Sequence, residues 1–309
     1  MPVWSASTPD FAIPDAPLPR PVAFDLRDRS RTGIGRVARE TVAAWQALFP
    51  DDQLIVLQEG GQRYSVQAQR EWPALARAHR DASWVWFHWD VPLWRMPARS
   101  VVYVHDRIHL STSGLLKRTV ARGWMAHAMR RAGALVTGSA TIAAELPRTA
   151  TVIPHGVRQR DTATWQPQEY LLTVGEPRPY KNFDLARRVA ARLGVPHRHA
   201  WGVSDDELQA LYAGARVVLV PSRAEGFGLP LLEAFAVGAP VVASNIGPLK
   251  EVSGGLALHV SPDDEDGWCE AVARLIADGG DPQARRQRAA HFTWDATARA
   301  LRALVASLG

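Results

Sequence analysis

The chain has 309 residues, of which 47% are hydrophobic and 22% are charged, and this composition excludes an intrinsically disordered protein. A formal net charge of +5 favours anionic partners such as a nucleoside diphosphate, a membrane surface or nucleic acid, but a solvated basic surface explains it equally well. The single cysteine, Cys269, excludes a disulfide framework and a cysteine-based metal site. The length accommodates two domains of ordinary size.

The first 21 residues contain six prolines and lack the basic start and apolar core of a signal peptide. We therefore expect residues 1–21 to form an extended arm. The chain has no run of about 18 or more apolar residues, so no transmembrane helix is expected. Together with the lone cysteine, this favours a cytoplasmic location.

The amino-terminal half begins with a predicted strand at 22–26 and a helix that continues through residue 48. Gly33 and Gly35 stand at the turn between them, where glycines let a ligand approach the backbone. The glycine pair alone is weak evidence for a binding site, because neither the third glycine nor the acidic residue of a dinucleotide fingerprint follows. Positive charge is added near this turn by Arg27, Arg29, Arg31 and Arg36.

Four further apolar runs predict strands at 54–57, 84–88, 101–104 and 134–137, with a short helix at 72–79. Trp84 and Trp86 are expected in the core, whereas core packing and sugar stacking both remain open for Trp89 and Trp94. His105 directly follows a strand. A lone histidine is more often structural, but ligands bind beyond the carboxyl ends of parallel strands, so this position favours a functional role.

Residues 114–132 predict an amphipathic helix, and Ser139 is expected to cap a helix at 140–146. The apolar stripe of the first helix is formed by Leu116, Val120, Trp124 and Ala128. We expect it to pack on the sheet, while contact of its basic residues with an anionic membrane stays open as the alternative. The boundary between two domains is expected near 158–168.

In the carboxy-terminal half, Lys181 follows a strand at 170–174 and precedes a helix that ends at Gly194. A lysine at such a turn can reach a phosphate as a point charge, and Arg178 stands close by. Ser204 and Glu207 form a capping-box pattern for the next helix. The remaining segments predict a loop at 245–252, a strand at 256–260, helices at 263–278 and 282–291, and a terminal helix after Phe292.

The most informative stretch is residues 221–244, which read as a loop, a helix opened by Pro230 and a following strand, after a buried strand at 217–220. Backbone N–H groups and the dipole at the start of this helix form an anion site. Glu225 lies before the turn and Glu233 lies within the helix. A diphosphate at the turn would therefore have carboxylates on either side to hold hydroxyl groups.

The run Glu225 to Glu233, EGFGLPLLE, resembles the signature of the family 4 glycosyltransferases, which are retaining, nucleotide-sugar-dependent enzymes. The TGIGR and VYVHD segments and the stretch 151–157 also resemble members of this family. The resemblance implies an α/β protein of the GT-B fold, with two Rossmann-like domains whose parallel sheets face a cleft. The expected acceptor-side domain is 22–165 with the terminal helix 293–309, and the expected nucleotide-sugar domain is 166–292.

The resemblance also implies a role for each matching residue. His105 would contact the donor sugar, Glu225 would bind sugar hydroxyls and stabilise charge at the anomeric carbon, and Glu233 would hold the ribose. Lys181 and Arg178 would face the diphosphate. The expected donor-binding residues are Gly33, Gly35, Arg178, Lys181, Trp201, Val203, Gly226, Phe227, Gly228, Leu229, Pro230 and Glu233, with base contacts from the region of Trp201 and Val203.

The implied activity is retaining transfer of a hexose from a nucleoside-diphosphate sugar, GDP-mannose favoured, to a saccharide or lipid-linked acceptor in surface polysaccharide or glycolipid synthesis. No metal or other cofactor is expected, because the acidic pairs at 205–206 and 263–264 read as helix starts. No nucleic acid partner is expected, and peripheral contact with the inner face of a membrane is left open. The alternatives are a nucleotide-sugar epimerase or phosphorylase and a non-catalytic sugar-nucleotide-binding protein. Whether Glu225 acts as a nucleophile or the acceptor attacks from the front also stays open.

Overall fold

The computed structural model describes residues 14, 16–27, 33–61, 65–106, 108, 115–159 and 164–309. Most of the expected proline-rich arm, together with Arg29 and Arg31, therefore lies outside the described residues. The chain divides into two compact units, one ending at Gly156 and completed by residues 294–309, the other formed by 157–293. Each unit contains one parallel sheet. None of the described helices is long and apolar enough to span a bilayer.

The division between the units falls before Val157, slightly earlier than the expected boundary at 158–168. The side chain of Val157 is buried in the core of the carboxy-terminal unit. Its backbone N–H also donates to the carbonyl of Phe292 at 3.0 Å. These contacts tie Val157 to the second unit before the polar linker residues begin.

The amino-terminal unit is built on a parallel sheet with the strand order β2-β1-β3-β4-β5-β6. Its strands are β1 (Val22–Asp25), β2 (Leu54–Leu57), β3 (Ser83–Trp86), β4 (Ser100–Tyr103), β5 (Ala134–Thr137) and β6 (Thr151–Val152). Its helices, numbered in chain order, are α1 (Gly33–Leu48), α2 (Val66–Ala78), α3 (Leu115–Arg131), α4 (Ala140–Glu145) and α11 (Trp294–Ser307). The central strands are buried along their whole length, as continuous apolar runs in a parallel sheet require.

The terminal helix α11 packs on α1 and is fixed there by a buried ion pair. Arg302 donates to the carboxylate of Asp52, with Nε 2.7 Å from Oδ2, and the same carboxylate accepts from Trp45 at 2.8 Å. The charge of Arg302 is thus satisfied in the interior, which is how such a residue can be buried in a core.

Helices α2 and α3 differ from the sequence-based expectation. Helix α2 begins at Val66, not near residue 72, because the Ser65 hydroxyl accepts from the backbone N–H of Ala68 at 3.0 Å and caps the helix earlier. On α3 the expected stripe is only partly confirmed. Ala128 is buried and Trp124 packs partly against the core, but Val120 is 55% exposed. Ala121 and Met125, each one position after an expected stripe residue, are buried as well. The side chain of Leu116 lies outside the described residues.

The carboxy-terminal unit has a parallel sheet of the order β11-β10-β9-β7-β8. Its strands are β7 (Leu171–Val174), β8 (His197–Ala200), β9 (Val217–Val220), β10 (Val241–Ser244) and β11 (Leu258–Val260). Its helices are α5 (Phe183–Leu193), α6 (Asp205–Gly214), α7 (Leu229–Val237), α8 (Gly247–Ser253), α9 (Glu265–Asp278) and α10 (Pro282–Ala290). Buried side chains cover both faces of the sheet.

Several predicted caps of this unit are confirmed. The Ser204 hydroxyl accepts from the N–H of Glu207 at 3.2 Å, and Gly194 ends α5 with a φ of 65°. The expected loop at 245–252 is wrong, because residues 247–253 form helix α8. Its buried Leu249 and Val252, three residues apart, anchor one face of this short helix in the core.

Candidate active site

The turn from β9 into α7 has a backbone that requires glycine. Gly228 adopts a φ of +114°, and a Cβ atom at this position would lie 2.6 Å from Cδ2 of Leu249. Gly228 is also the residue that precedes the first turn of α7, whose N-terminal N–H groups and dipole attract anions. Pro230 lacks an N–H, so Gly228 and Leu229 supply the backbone donors at this end.

Lys181 and Glu225, predicted from separate segments, form an ion pair in the structure. Lys181 Nζ lies 2.6 Å from Glu225 Oε1, and the two side chains are only 14% and 10% exposed. The Ser222 hydroxyl donates to the same carboxylate oxygen at 2.7 Å. Strands β7 and β9 are neighbours, so the loops that follow them meet at one edge of the sheet. The N–H of Arg223 donates to the carbonyl of Tyr180 at 2.8 Å and ties these loops together.

Glu233 lies on α7 and is oriented by a tyrosine. The hydroxyl of the buried Tyr212 donates to Glu233 Oε2 at 2.8 Å. The carboxylate is partly exposed and held in a fixed direction, so hydroxyl groups of a ligand can reach it. The two acids of the motif thus have different partners, a cation for Glu225 and a phenol for Glu233.

The other predicted donor-binding residues of this unit fall into different environments. Arg178 is exposed and its guanidinium lies 2.6 Å from the Glu176 carboxylate, so its charge is partly neutralised in this state. Phe227 is buried against Phe292, with ring centroids 5.9 Å apart, because its side chain belongs to the core. A donor contact from Phe227 would therefore come from its backbone. The same packing gives Phe292 a structural role.

Trp201 and Val203 follow β8, at the carboxyl edge of the sheet where the loop of Lys181 also lies. The Trp201 side chain is 41% exposed, so its ring face is open to a planar ligand. Val203 packs partly against the core, which leaves its backbone as the group that could contact a base. Gly226 is half-buried beside Glu225.

In the amino-terminal unit, the predicted glycines form the first turn of α1, which begins at Gly33. Gly33 is exposed, while Gly35 is buried and borders a cavity of about 360 Å³ within this unit. Thus the glycine pair belongs to a helix start in the structure, and a cavity adjoins it.

His105 lies just beyond β4, as predicted, inside a buried stack of rings. Its Nε2 lies 2.9 Å from the carbonyl oxygen of Phe87, and this nitrogen carries the proton because a carbonyl only accepts. The ring centroid is 5.5 Å from that of Tyr103 and 5.3 Å from that of His155. Burial, followed by the charge of His105, lowers the pKa of His155 well below its ordinary value, so His155 stays neutral near pH 7.

Three buried polar residues of this unit, Asp25, His88 and Asp90, were missed from the sequence. Arg27, expected as a phosphate-facing charge, instead binds Asp25 through two hydrogen bonds, with Nε 2.9 Å from Oδ1 and Nη2 2.7 Å from Oδ2. Burial opposes the ionisation of Asp25, but the hydrogen bonds of Arg27 and the charges of His88 and Arg27 outweigh it and lower the pKa of this carboxyl. In the sequence, the signal that could have identified Asp25 and His88 was their position at or just beyond the end of a predicted strand.

Among the described residues, no group of three or more His, Cys, Asp or Glu side chains is arranged to hold a metal ion.

Residues 137–278, which contain Lys181, Glu225 and Glu233, match the family model described as "Glycosyl transferases group 1". This stretch, which begins in the amino-terminal unit and covers most of the carboxy-terminal one, is therefore similar to glycosyltransferases. Similar proteins include the O-antigen chain mannosyltransferase B of Escherichia coli, 38% identical over 102 residues, 32% of this chain and 27% of that protein. The MMP alpha-(1->4)-mannosyltransferase of Mycolicibacterium hassiacum is 42% identical over 125 residues, 36% of this chain and 29% of that protein. The matched segments thus span less than a third of these two curated relatives.

The fold extends over nearly the whole chain. The solved structure of sucrose-phosphate synthase from Thermosynechococcus elongatus superimposes with a TM-score of 0.75, covering 90% of this chain and 96% of that one at 18% identity. The chain therefore has a GT-B fold, and the predicted fold class and family resemblance are confirmed.

Proposed function

We propose that the chain is a retaining glycosyltransferase that uses a nucleoside-diphosphate sugar as its donor. The observation that carries the proposal is the Lys181–Glu225 ion pair at the carboxyl edge of the β7–β9 sheet, close in sequence to the glycine-bounded start of α7. Ligands of open parallel sheets bind at this edge. A cation, an anion-attracting helix start and two oriented carboxylates match the diphosphate, the sugar and the ribose of such a donor.

The chief chemical task is stabilising the leaving nucleoside diphosphate while positive charge develops on the sugar. Fixed positive groups and N–H donors achieve this without reorganising during the reaction. Lys181 supplies the ammonium group, α7 supplies its dipole and backbone donors, and Arg178 supplies a second charge once it leaves Glu176. Binding of the diphosphate would draw Lys181 from Glu225 and so release that carboxylate toward the sugar.

In the transfer step, the bond between the anomeric carbon and the phosphate oxygen breaks while the acceptor oxygen bonds to the same face of that carbon. The proton of the acceptor hydroxyl passes to the departing phosphate oxygen, so no protein base is consumed. Glu225 holds sugar hydroxyls and stabilises the positive charge at the anomeric carbon. Glu233, oriented by Tyr212, holds the ribose, and His105 contacts the donor sugar. The step uses no metal.

The donor we favour is GDP-mannose, supported by the mannosyltransferases among the similar proteins. The acceptor is a saccharide or a lipid-linked saccharide of a surface polysaccharide or glycolipid. A lipid-linked acceptor would bring the chain to an anionic membrane surface. Exposed apolar side chains suited to such contact are Leu93, Trp94 and Val120. Trp124 of α3 donates to the carbonyl of Val91 at 2.7 Å, and this hydrogen bond holds the loop at 91–92 against α3.

The test compares Glu225→Gln with Glu169→Gln, a matched change at an exposed glutamate outside the site. We expect Glu225→Gln to lower transfer by at least about 100-fold while GDP still raises the melting temperature, because charge stabilisation at the sugar is lost but the diphosphate site remains. Full activity of this variant would refute the role of Glu225. Release of the nucleotide only in the presence of an acceptor would identify a transferase. A chemically altered free nucleotide sugar would identify an epimerase, and binding without turnover would identify a non-catalytic protein.

A further inference from the structure

The amino-terminal unit contains a cavity whose walls are suited to a small polar molecule. Its volume of about 360 Å³ lies within the usual range of small-molecule pockets. Ile34 and Ala38 of α1 form an apolar wall, and Phe87 and the polar His88, which follow β3, line another part of the cavity. The opening carries exposed side chains of both signs, including Arg39.

His88 is a buried polar residue whose ring nitrogens are left without aligned partners. Its side chain is 4% exposed, and neither nitrogen has a hydrogen-bond partner within the described part of the chain. Nδ1 lies 2.5 Å from Oδ1 of the fully buried Asp90 carboxylate, which is an ion-pair distance without hydrogen-bond alignment. Leaving a buried imidazole unsatisfied costs free energy, and such a group calls for a ligand or another functional explanation.

Two buried polar side chains, Asp25 and His88, line the described cavity, and His88 is the one that can bind a ligand. Asp25 pairs with Trp86 across β1 and β3, which brings His88, two residues further on, to the same edge. The carboxylate of Asp25 is already committed to Arg27 through two side-chain hydrogen bonds. The Asp90 carboxylate beside Nδ1 orients the ring, which leaves Nε2 as the atom that can contact a ligand.

We propose that His88, oriented by Asp90, forms a hydrogen bond through Nε2 with a hydroxyl of a neutral sugar or cyclic polyol bound in this cavity. This ligand is the acceptor of the transfer, so the proposal rests on the proposed function. Charge favours a hydroxyl over a phosphate, because Asp25 and Arg27 neutralise each other, and Glu59 and Arg39 then give the described lining one carboxylate and one cation without excess positive charge.

The experiment measures binding of methyl α-D-mannopyranoside and myo-inositol to the whole protein without donor, by saturation-transfer NMR and calorimetry. At concentrations on the order of 100 mM even a ligand with a Kd of about 1 mM saturates its site. His88→Asn keeps an amide near the position of Nδ1 but removes the group at Nε2, whereas His88→Gln keeps a polar atom near Nε2. We expect His88→Asn to weaken binding about tenfold and His88→Gln to weaken it less.

A second variant, Ala38→Leu, fills the cavity from the α1 side without altering His88. It should abolish polyol binding, while a cooperative urea unfolding transition, followed by fluorescence that includes the buried Trp45, Trp84 and Trp86 of this unit, shows that each variant is folded. The assignment is overturned if neither polyol binds, if the His88 variants bind as the unchanged protein does, or if inorganic phosphate competes for the cavity. Polyol binding that depends on His88 without any sugar transfer would instead refute the transferase function and leave this site standing.

Discussion

The ion pair between Lys181 and Glu225 makes a quantitative prediction, because its two side chains are nearly buried and only 2.6 Å apart. At an effective dielectric constant of about 20, two unit charges at this separation attract by about 6 kcal/mol before desolvation is subtracted. Removing one partner of a buried pair costs about 3–5 kcal/mol, chiefly because the other charge is left uncompensated.

We expect Lys181→Met to lower the free energy of unfolding by about 3 kcal/mol, since Glu225 would keep only the Ser222 hydroxyl as a donor. Glu225→Gln should cost about 2 kcal/mol, because the amide oxygen still accepts from Ser222. The double variant should also cost about 2 kcal/mol, since no unpaired charge remains. The double-mutant cycle then gives a coupling of about 3 kcal/mol.

The assay is urea unfolding followed by tryptophan fluorescence, with donor turnover measured on the same four proteins. Stability should partly recover in the double variant, but turnover should not, because both groups are assigned to the donor. If the two single effects add within about 0.5 kcal/mol, the ion pair does not couple these residues. If turnover recovers together with stability, the two residues have a structural role and the assignment of the donor site is wrong.

Three further predictions concern the metal, the pH dependence and the turn before α7. Product formation should be equal in EDTA and in added magnesium, and a strict requirement for magnesium would contradict the metal-free step. Burial lowers the pKa of His155 well below its ordinary value and that of His197 to about 4, whereas an unfolded histidine titrates near 6.5. The unfolded chain therefore binds more protons below about pH 6.5, so stability should fall toward pH 4 by up to about 1.4 kcal/mol per pH unit for each histidine. Chemical denaturation across that range checks the slope, and a flat profile would contradict it. Gly228→Ala should lower stability by about 1–3 kcal/mol and weaken GDP binding, because the positive φ and the contact with Leu249 both oppose a Cβ atom. In a Leu249→Ala background the penalty should shrink without vanishing, since the φ strain remains, and an unchanged penalty would show that the contact contributes nothing.

The amino-acid sequence by itself determined the α/β class, the resemblance to glycosyltransferases and the motif around Glu225 and Glu233. These properties depend on neighbours along the chain. Continuous apolar runs make buried parallel strands, and Ser139, Ser204 and Gly194 act on helix ends within a few residues. The spacing of the acids and glycines at 225–233 is likewise a local property.

The partners of the site residues depended on the tertiary structure. Lys181 and Glu225 are 44 residues apart, and they meet because β7 and β9 are adjacent in the sheet. The sequence also suggested Arg27 as a charge for phosphate, but the fold buries it against Asp25. Packing between elements distant in sequence likewise set which residues α3 presents to the core. It also placed His88 beside a cavity. Local patterns specify an element and its caps, but side chains from distant segments become neighbours only when the sheet is assembled.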